Sequence, residues 1–362
     1  MLTVTSDQAE ASRLVLQIAQ LCAANGAQWH PDLQVEVCEG SLRLLAAPDT
    51  KGELIIMPIE LLVPIEGAQW ANSFERLDLL APPESASAVQ EELLQLHIAL
   101  YNATGKLRWW SQQHPARLVE ESSAVADAVA LLKPSLQWKH EQNNAAERFL
   151  STRSFGWKQD PDQEKRRPVL MPIIDLLNHH HRGAPFRISE GAMRMQSAQA
   201  EGSECFAHYG HRRDVLDLAL HYGYCDDSTP FAHSAPLDIP VDGIGRICIE
   251  HQGQRAPIHP FDPPRIKLED DGLRISHLCC HLQHPERVRT MLRLALQGSL
   301  KYRGHSAQDA ARLAEQGLEA VAAENIKLLQ QLQQAAENSL HPAALPLAGA
   351  AQRQAAIISA VI

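Results

Sequence analysis

Apolar positions recur at helical spacing between Ser6 and Ala24, where Leu14, Ile18 and Leu21 share a stripe, Ser6 stands as a cap and Asn25-Gly26 supplies the stop. From Leu33 to Val63 the period shortens to two. Val35 and Val37 alternate with polar residues, Leu42 to Ala46 and Leu54 to Met57 follow, and Pro58 ends the run. That pattern predicts a β-meander turned at Glu39-Gly40-Ser41 and at Asp49-Thr50-Lys51-Gly52. Pro82-Pro83 opens a helical stretch from about 86 to 149, carrying Leu93, Leu96, Ile98 and Leu100, the Trp109-Trp110 pair, and Ala124 to Leu132. The Trp pair reads either as core beside a helix or as a binding surface. Strands are expected to resume in the short apolar segments 149–155, 169–174, 186–188, 192–195 and 205–209, separated by the charged loop 160–167 and the Glu201-Gly202 turn, and Arg212 to His221 reads as a short helix.

From 226 to 277 the chain is rich in proline and turn residues, with strands expected at 244–249 and 273–275. Helices are expected at 285–300 and 306–336. Ser306 and Asp309 give the second a capping-box-like start, and Leu318, Val321, Asn325, Leu328 and Leu332 step along a packed seam. Residues 343–362, interrupted by Pro346, Gly349 and Arg353, are expected to form a loosely packed tail with Ile357-Ile358 as a docking point.

The chain has 362 residues, 45% of them hydrophobic, enough for a large core and two domains. A formal net charge of −10 is the wrong sign for a protein whose main partner is a nucleic-acid backbone. No charged leader with an apolar core precedes the first helix, and no apolar run reaches about 18 residues, so a cytoplasmic protein without membrane contact is expected. Seven cysteines without a C-x-x-C spacing read as reduced thiols. His277-Leu278-Cys279-Cys280-His281 lacks a second pair at finger spacing and reads as a buried helix start. The run His179-His180-His181 lacks a carboxylate or histidine partner at zinc spacing, so no metal is expected.

Candidate chemistry concentrates between 171 and 224. The run Met171-Pro172-Ile173-Ile174 ends in Asp175, Asn178 and His179, polar groups that are costly to bury unless they bind something. A second segment, Glu204 to Gly210, carries His208 and Tyr209. Each residue also has a plain structural reading: Asp175 as a cap, Asn178 as a turn residue, Tyr209 as an ordinary strand tyrosine, and Glu39-Gly40-Ser41 as a hairpin turn.

Four segments in order carry a resemblance. Asp175-Leu176-Leu177-Asn178-His179 is similar to a D-x-x-N-H motif, and Thr152-Arg153-Ser154-Phe155 to Ser-Arg-Ala-Phe. Cys205 to Gly210 is followed thirteen residues after Tyr209 by Tyr222-Gly223-Tyr224, similar to Y-G-F. Glu39-Gly40-Ser41 is followed fourteen residues later by Glu53. On these residues the chain resembles the SET-domain protein methyltransferases, in the class of the Rubisco large-subunit lysine methyltransferase, over nearly its whole length to about residue 335. The resemblance implies an α+β protein: a SET-type fold of short sheets with a pseudo-knot over 1–226, split by a helical insertion at about 83–149. An all-helical substrate-binding lobe over 227–340 and an Ala-rich tail over 341–362 would follow.

For function, the resemblance implies protein-lysine N-methylation with S-adenosylmethionine as cofactor. Glu39, Gly40, Ser41, Arg153, Asn178 and His179 would contact the cofactor, Tyr209 would be the catalytic tyrosine, and Arg153, Asp175, Tyr209 and Tyr222 would line the lysine site. The partner would be a lysine-containing protein. Two departures stand out: Gly40-Ser41-Leu42-Arg43 replaces the usual Gly-x-Gly, and Arg213-Asp214 replaces Ser-Asn. One rival expectation follows from them, a catalytically silent SET-like module that only binds a protein; methylation of histidine in place of lysine is a further alternative within the family, which the sequence leaves open.

Overall fold

The computed structural model describes residues 2–71, 73–134, 136, 145–158, 166–199, 202–210, 212–250 and 260–362. The expected turn residue Glu201 and most of the charged loop 160–167 lie outside them. The chain divides into two units, residues 1–112 with 139–210, and residues 113–138 with 211–362. Residues 113–138, inside the expected insertion, and 211–226, inside the expected first domain, thus group with the second unit.

In the first unit, the alternation at Val35 and Val37 builds the strand Gln34–Cys38, which pairs antiparallel with Ser41–Leu45. The expected meander is corrected at the next strand. Glu53–Pro58 leaves this sheet and pairs with Ala192–Gln196 and Gln28–Trp29, where Leu54 on one of its faces and Ile55 and Met57 on the other are buried. The five-stranded sheet runs Thr3–Ser6, Gln34–Cys38, Ser41–Leu45, Glu204–His208, Asn178–Pro185. Its first strand takes Ser6 out of the helix. The helix is Ala9–Ala24, and the Ser6 hydroxyl instead closes a turn by accepting from the Gln8 amide at 2.9 Å. This helix buries Leu14, Val15, Ile18 and Cys22 and packs on Ala88–Ala103, whose start carries a reciprocal Ser87–Gln90 cap.

The expected strand at 149–155 is a helix, Ala145–Ser151, followed by the strand Ser154–Trp157. Phe149 and Leu150 lie on its buried side with Ala145 and Ala146, a helical spacing that a short apolar run does not reveal. Trp110 is buried and Trp109 is exposed on one helix, Lys106–Gln113, so the pair is divided between core and surface.

The second unit contains the helices Pro285–Tyr302, Ala307–Glu337 and Ala344–Val361, together with two small sheets. The C-terminal region is thus helical with short strands beside it, among them those expected at 244–249 and 273–275. Gly245–Ile249 and Gly272–Ile275 pair in parallel, and a Cβ at Gly272 would lie 2.0 Å from the Arg246 carbonyl oxygen, so only glycine fits. Cys279–His281 is a strand paired with Phe231–His233, not a helix start. The Ala-rich end is a packed helix, not a loose tail. Its small residues permit close packing, and Gln354, fully buried, accepts from the Leu216 amide at 3.0 Å and donates to the His233 carbonyl at 3.1 Å. Asn325 does similar work, accepting from the Ala235 amide at 2.8 Å and donating to the Val321 carbonyl at 2.9 Å.

A buried polar knot sits in this unit. The helix Val215–Tyr222 is capped by Asp214, whose carboxylate, with that of Asp217, receives the Lys133 ammonium at 3.2 and 2.8 Å. His233 and His221 stand beside it. Burial, with the charges of Lys133 on one and Arg213 on the other, pulls their imidazoles down to about 3 and about 4. In the unfolded chain both bind a proton near 6.5, so acid favours the unfolded state. The thermal midpoint should therefore fall as pH drops from about 6.5 toward 4, and His233→Phe should make that fall shallower. Parallel melting curves for the two proteins across this range would place the acid sensitivity elsewhere.

Candidate functional site

The polar end of the 171–179 run is built around a strained turn. Ile173 has φ 62° and ψ −40°, and the Ile174 amide donates to the Pro172 carbonyl at 2.7 Å, a tight turn that a β-branched residue rarely adopts. Such a conformation costs about 1–3 kcal/mol and persists only where the surroundings hold it. Here they do. Ile173 is fully buried, and the short 3₁₀ turn Ile174–Leu176 presents Asp175 inward with its carboxylate buried. That carboxylate accepts a hydrogen bond from the Tyr101 hydroxyl, and His97 Nε2 lies 3.8 Å from its other oxygen. Burial, then the Asp175 charge, pushes the Tyr101 phenol well above its usual range, so it remains a donor.

Arg153 grips the same turn from outside, its Nη1 donating to the Asp175 carbonyl at 3.2 Å. Its guanidinium lies 5.8 Å from the Tyr101 ring centroid and 5.5 Å from that of Phe149. Two residues further, the Leu177 carbonyl accepts from the Tyr209 hydroxyl at 2.7 Å. The Tyr209 amide donates to His179 Nδ1 at 3.1 Å, which sets His179 as an acceptor at that nitrogen, and the two rings stand 5.1 Å apart. Asn178 donates to Glu204 at 2.8 Å, and Glu204 lies 3.9 Å from Arg43, which pairs in turn with Glu36.

Strand pairing explains why these segments meet. Asn178 opposes Phe206 and His179 opposes Ala207 in a parallel pair. The chain then bulges through His180 to Gly183 before Ala184 opposes Ala207 again. A Cβ on Gly183 would lie 2.5 Å from the Ala207 carbonyl carbon, so glycine is required at this crossing.

Glu39 and Gly40, with φ 50° and 75°, form the two-residue turn between the paired residues Cys38 and Ser41. The Glu39 amide donates to Asp7 at 2.8 Å, and a Cβ on Gly40 would stand 2.8 Å from the Thr104 carbonyl oxygen. Glu39 and Ser41 are exposed. Glu53 pairs with Arg194 at 2.8 Å. Tyr222 belongs to the second unit, at the end of its helix before the left-handed Gly223, with Arg213 5.2 Å over its ring.

The first unit thus brings together Arg153, Asp175, Asn178, His179 and Tyr209. His97 and Tyr101 were not singled out from the sequence. Their signal was an i, i+4 polar pair on a helix face that is otherwise apolar, where such groups need a buried partner.

No family model matches the chain, and no curated protein matches it. Among solved structures, the chain is similar to the SET domain of LSMT bound to lysine and AdoHcy, over 97% of this chain and 90% of that one, at 12% identity and a TM-score of 0.43. It is also similar to Rubisco LSMT bound to AdoMet, over 96% and 90% of the two chains, at 12% identity and a TM-score of 0.42.

Asp175→Ala strands the buried Tyr101 hydroxyl and slackens the turn, so it should cost about 2–3 kcal/mol in urea unfolding. Ser41→Ala, at an exposed strand position, should stay within about 0.5 kcal/mol of wild type. Equal midpoints for Asp175→Ala and wild type would remove Asp175 as the brace.

Proposed function

We propose that this chain is an S-adenosylmethionine-dependent protein methyltransferase of the SET class, with a protein lysine as substrate. The observation that carries the reading is the grip of Arg153 and Tyr209 on the carbonyls of Asp175 and Leu177, because three of the segments that resemble the family's motifs meet on one turn. In this reading the domain over 1–226 holds the reaction and residues 227–340 bind the protein substrate.

The residues fit the cofactor at the Arg153 guanidinium, which spends one donor on the Asp175 carbonyl and pairs with no carboxylate among the described residues. Arg153 would receive the amino-acid carboxylate, while Glu39, Gly40, Ser41, Asn178 and His179 would form the wall for the remainder. Bound S-adenosylmethionine supplies an electrophilic methyl carbon. The chain's task is then to align a lysine nitrogen with that carbon and to receive it neutral. A free lysine titrates near 10.4, and a dry channel favours loss of its proton. Tyr209 holds its own proton on Leu177, so its oxygen acts toward the amine and the methyl as an acceptor. Asp175 would serve the lysine through the turn that it braces, and the aromatic ring that the resemblance assigns to the lysine is that of Tyr222, in the second unit.

S-adenosylhomocysteine at millimolar concentration should raise the melting temperature, as mass action requires of a ligand that binds only the folded state. Labelled S-adenosylmethionine in a cell extract should mark a protein band with wild type and not with Tyr209→Phe. A shift without any labelled band would favour a module that only binds proteins. Equal labelling by the two enzymes would remove Tyr209 from its role, and a labelled histidine would change the substrate residue.

A further inference from the structure

Lys106 lies beside this site without an assigned part. The helix Ala88–Ala103 ends at Thr104, and Gly105, with φ 62°, turns the chain into Lys106 at the start of the helix Lys106–Gln113. Thr104 is the residue whose carbonyl closes on Gly40, so Lys106 follows directly on the contact that seats the Glu39-Gly40 turn. One helical turn before Thr104, Tyr101 lies with its ring centroid 5.8 Å from the Arg153 guanidinium. Lys106 Nζ stands 5.9 Å from the ring centroid of Trp109 on its own helix. No carboxylate pairs with Lys106 or Arg153 among the described residues.

Two like charges in one half-buried region, with no counter-ion among the described residues, are unfavourable. Burial, then the Arg153 charge, lowers the Lys106 ammonium to about 7. An anion between them would reverse that penalty, with the ammonium as a point charge beside the planar guanidinium. We propose that Lys106 and Arg153 form a two-cation receptor for the carboxylate of the methionine portion of the cofactor, with Lys106 the half that no motif announces. This inference rests on the methyltransferase reading and adds a residue outside its motifs.

The test is calorimetric titration of the full chain with S-adenosylmethionine and with its decarboxylated analogue, which keeps the sulfonium and loses only the carboxylate. Wild type should bind the parent at least about tenfold more tightly than the analogue. Lys106→Met should weaken the parent by about tenfold and leave the analogue within about twofold, while Lys106→Arg should restore the preference. Lys106→Met should also melt no lower than wild type without ligand, since an apolar side chain of similar volume replaces a poorly solvated charge. Parent binding unchanged in Lys106→Met, or both ligands weakened alike, overturns the receptor and leaves the methyltransferase reading intact. Wild type binding neither ligand overturns both.

Discussion

The first unit depends on one buried carboxylate. Asp175 is taken out of water and held by the Tyr101 hydroxyl, with His97 close to its second oxygen. A buried carboxylate is tolerable only with such partners, and their presence fixes more than the residue itself. The 3₁₀ turn that carries Asp175 follows a positive-φ isoleucine, and a turn with that strain would relax if its buried side-chain anchor were lost. Because the turn is held, the carbonyls of Asp175 and Leu177 point in fixed directions. Arg153 and Tyr209 find them from segments remote in sequence. A stability device and the scaffold of the candidate site are here the same few atoms.

That coupling accounts for what could be read from the sequence. An apolar run ending in Asp175, Asn178 and His179 marked a candidate site because polar groups there need partners, and the segment Cys205 to Tyr209 was expected as a strand after the Glu201-Gly202 turn. The partners were not visible. His97 and Tyr101 lie on a helix whose pattern reads as ordinary amphipathic text, and nothing local tells that its buried face meets a carboxylate about seventy residues away. The strand Asn178–Pro185 was equally hidden. Its histidines carry no alternation, and its pairing bulges from His180 to Gly183. The same limit explains the errors in the second unit. The helices at 285 and 306 declared themselves by period and cap, whereas three-residue strands such as Phe231–His233 and Cys279–His281 exist only because each pairs with the other. The Ala-rich end looked loose because alanine says little about what it packs against, and Gln354, which anchors it, reads as a surface residue until its two backbone partners are known.

The departure after Gly40 also takes a different meaning once the backbone is known. The turn demands left-handed conformations only at Glu39 and Gly40, and the close approach to Thr104 is made at Gly40. Leu42, where Gly-x-Gly would have its second glycine, is the second residue of a regular strand and pairs with Val37, where a Cβ meets no conformational penalty. Leu42 therefore leaves the turn intact. What it adds is a buried side chain in the core of the first unit, where glycine would leave a gap. The steric requirement and the motif letter thus part company two residues after Gly40, since the conformation that seats the turn against Thr104 is preserved.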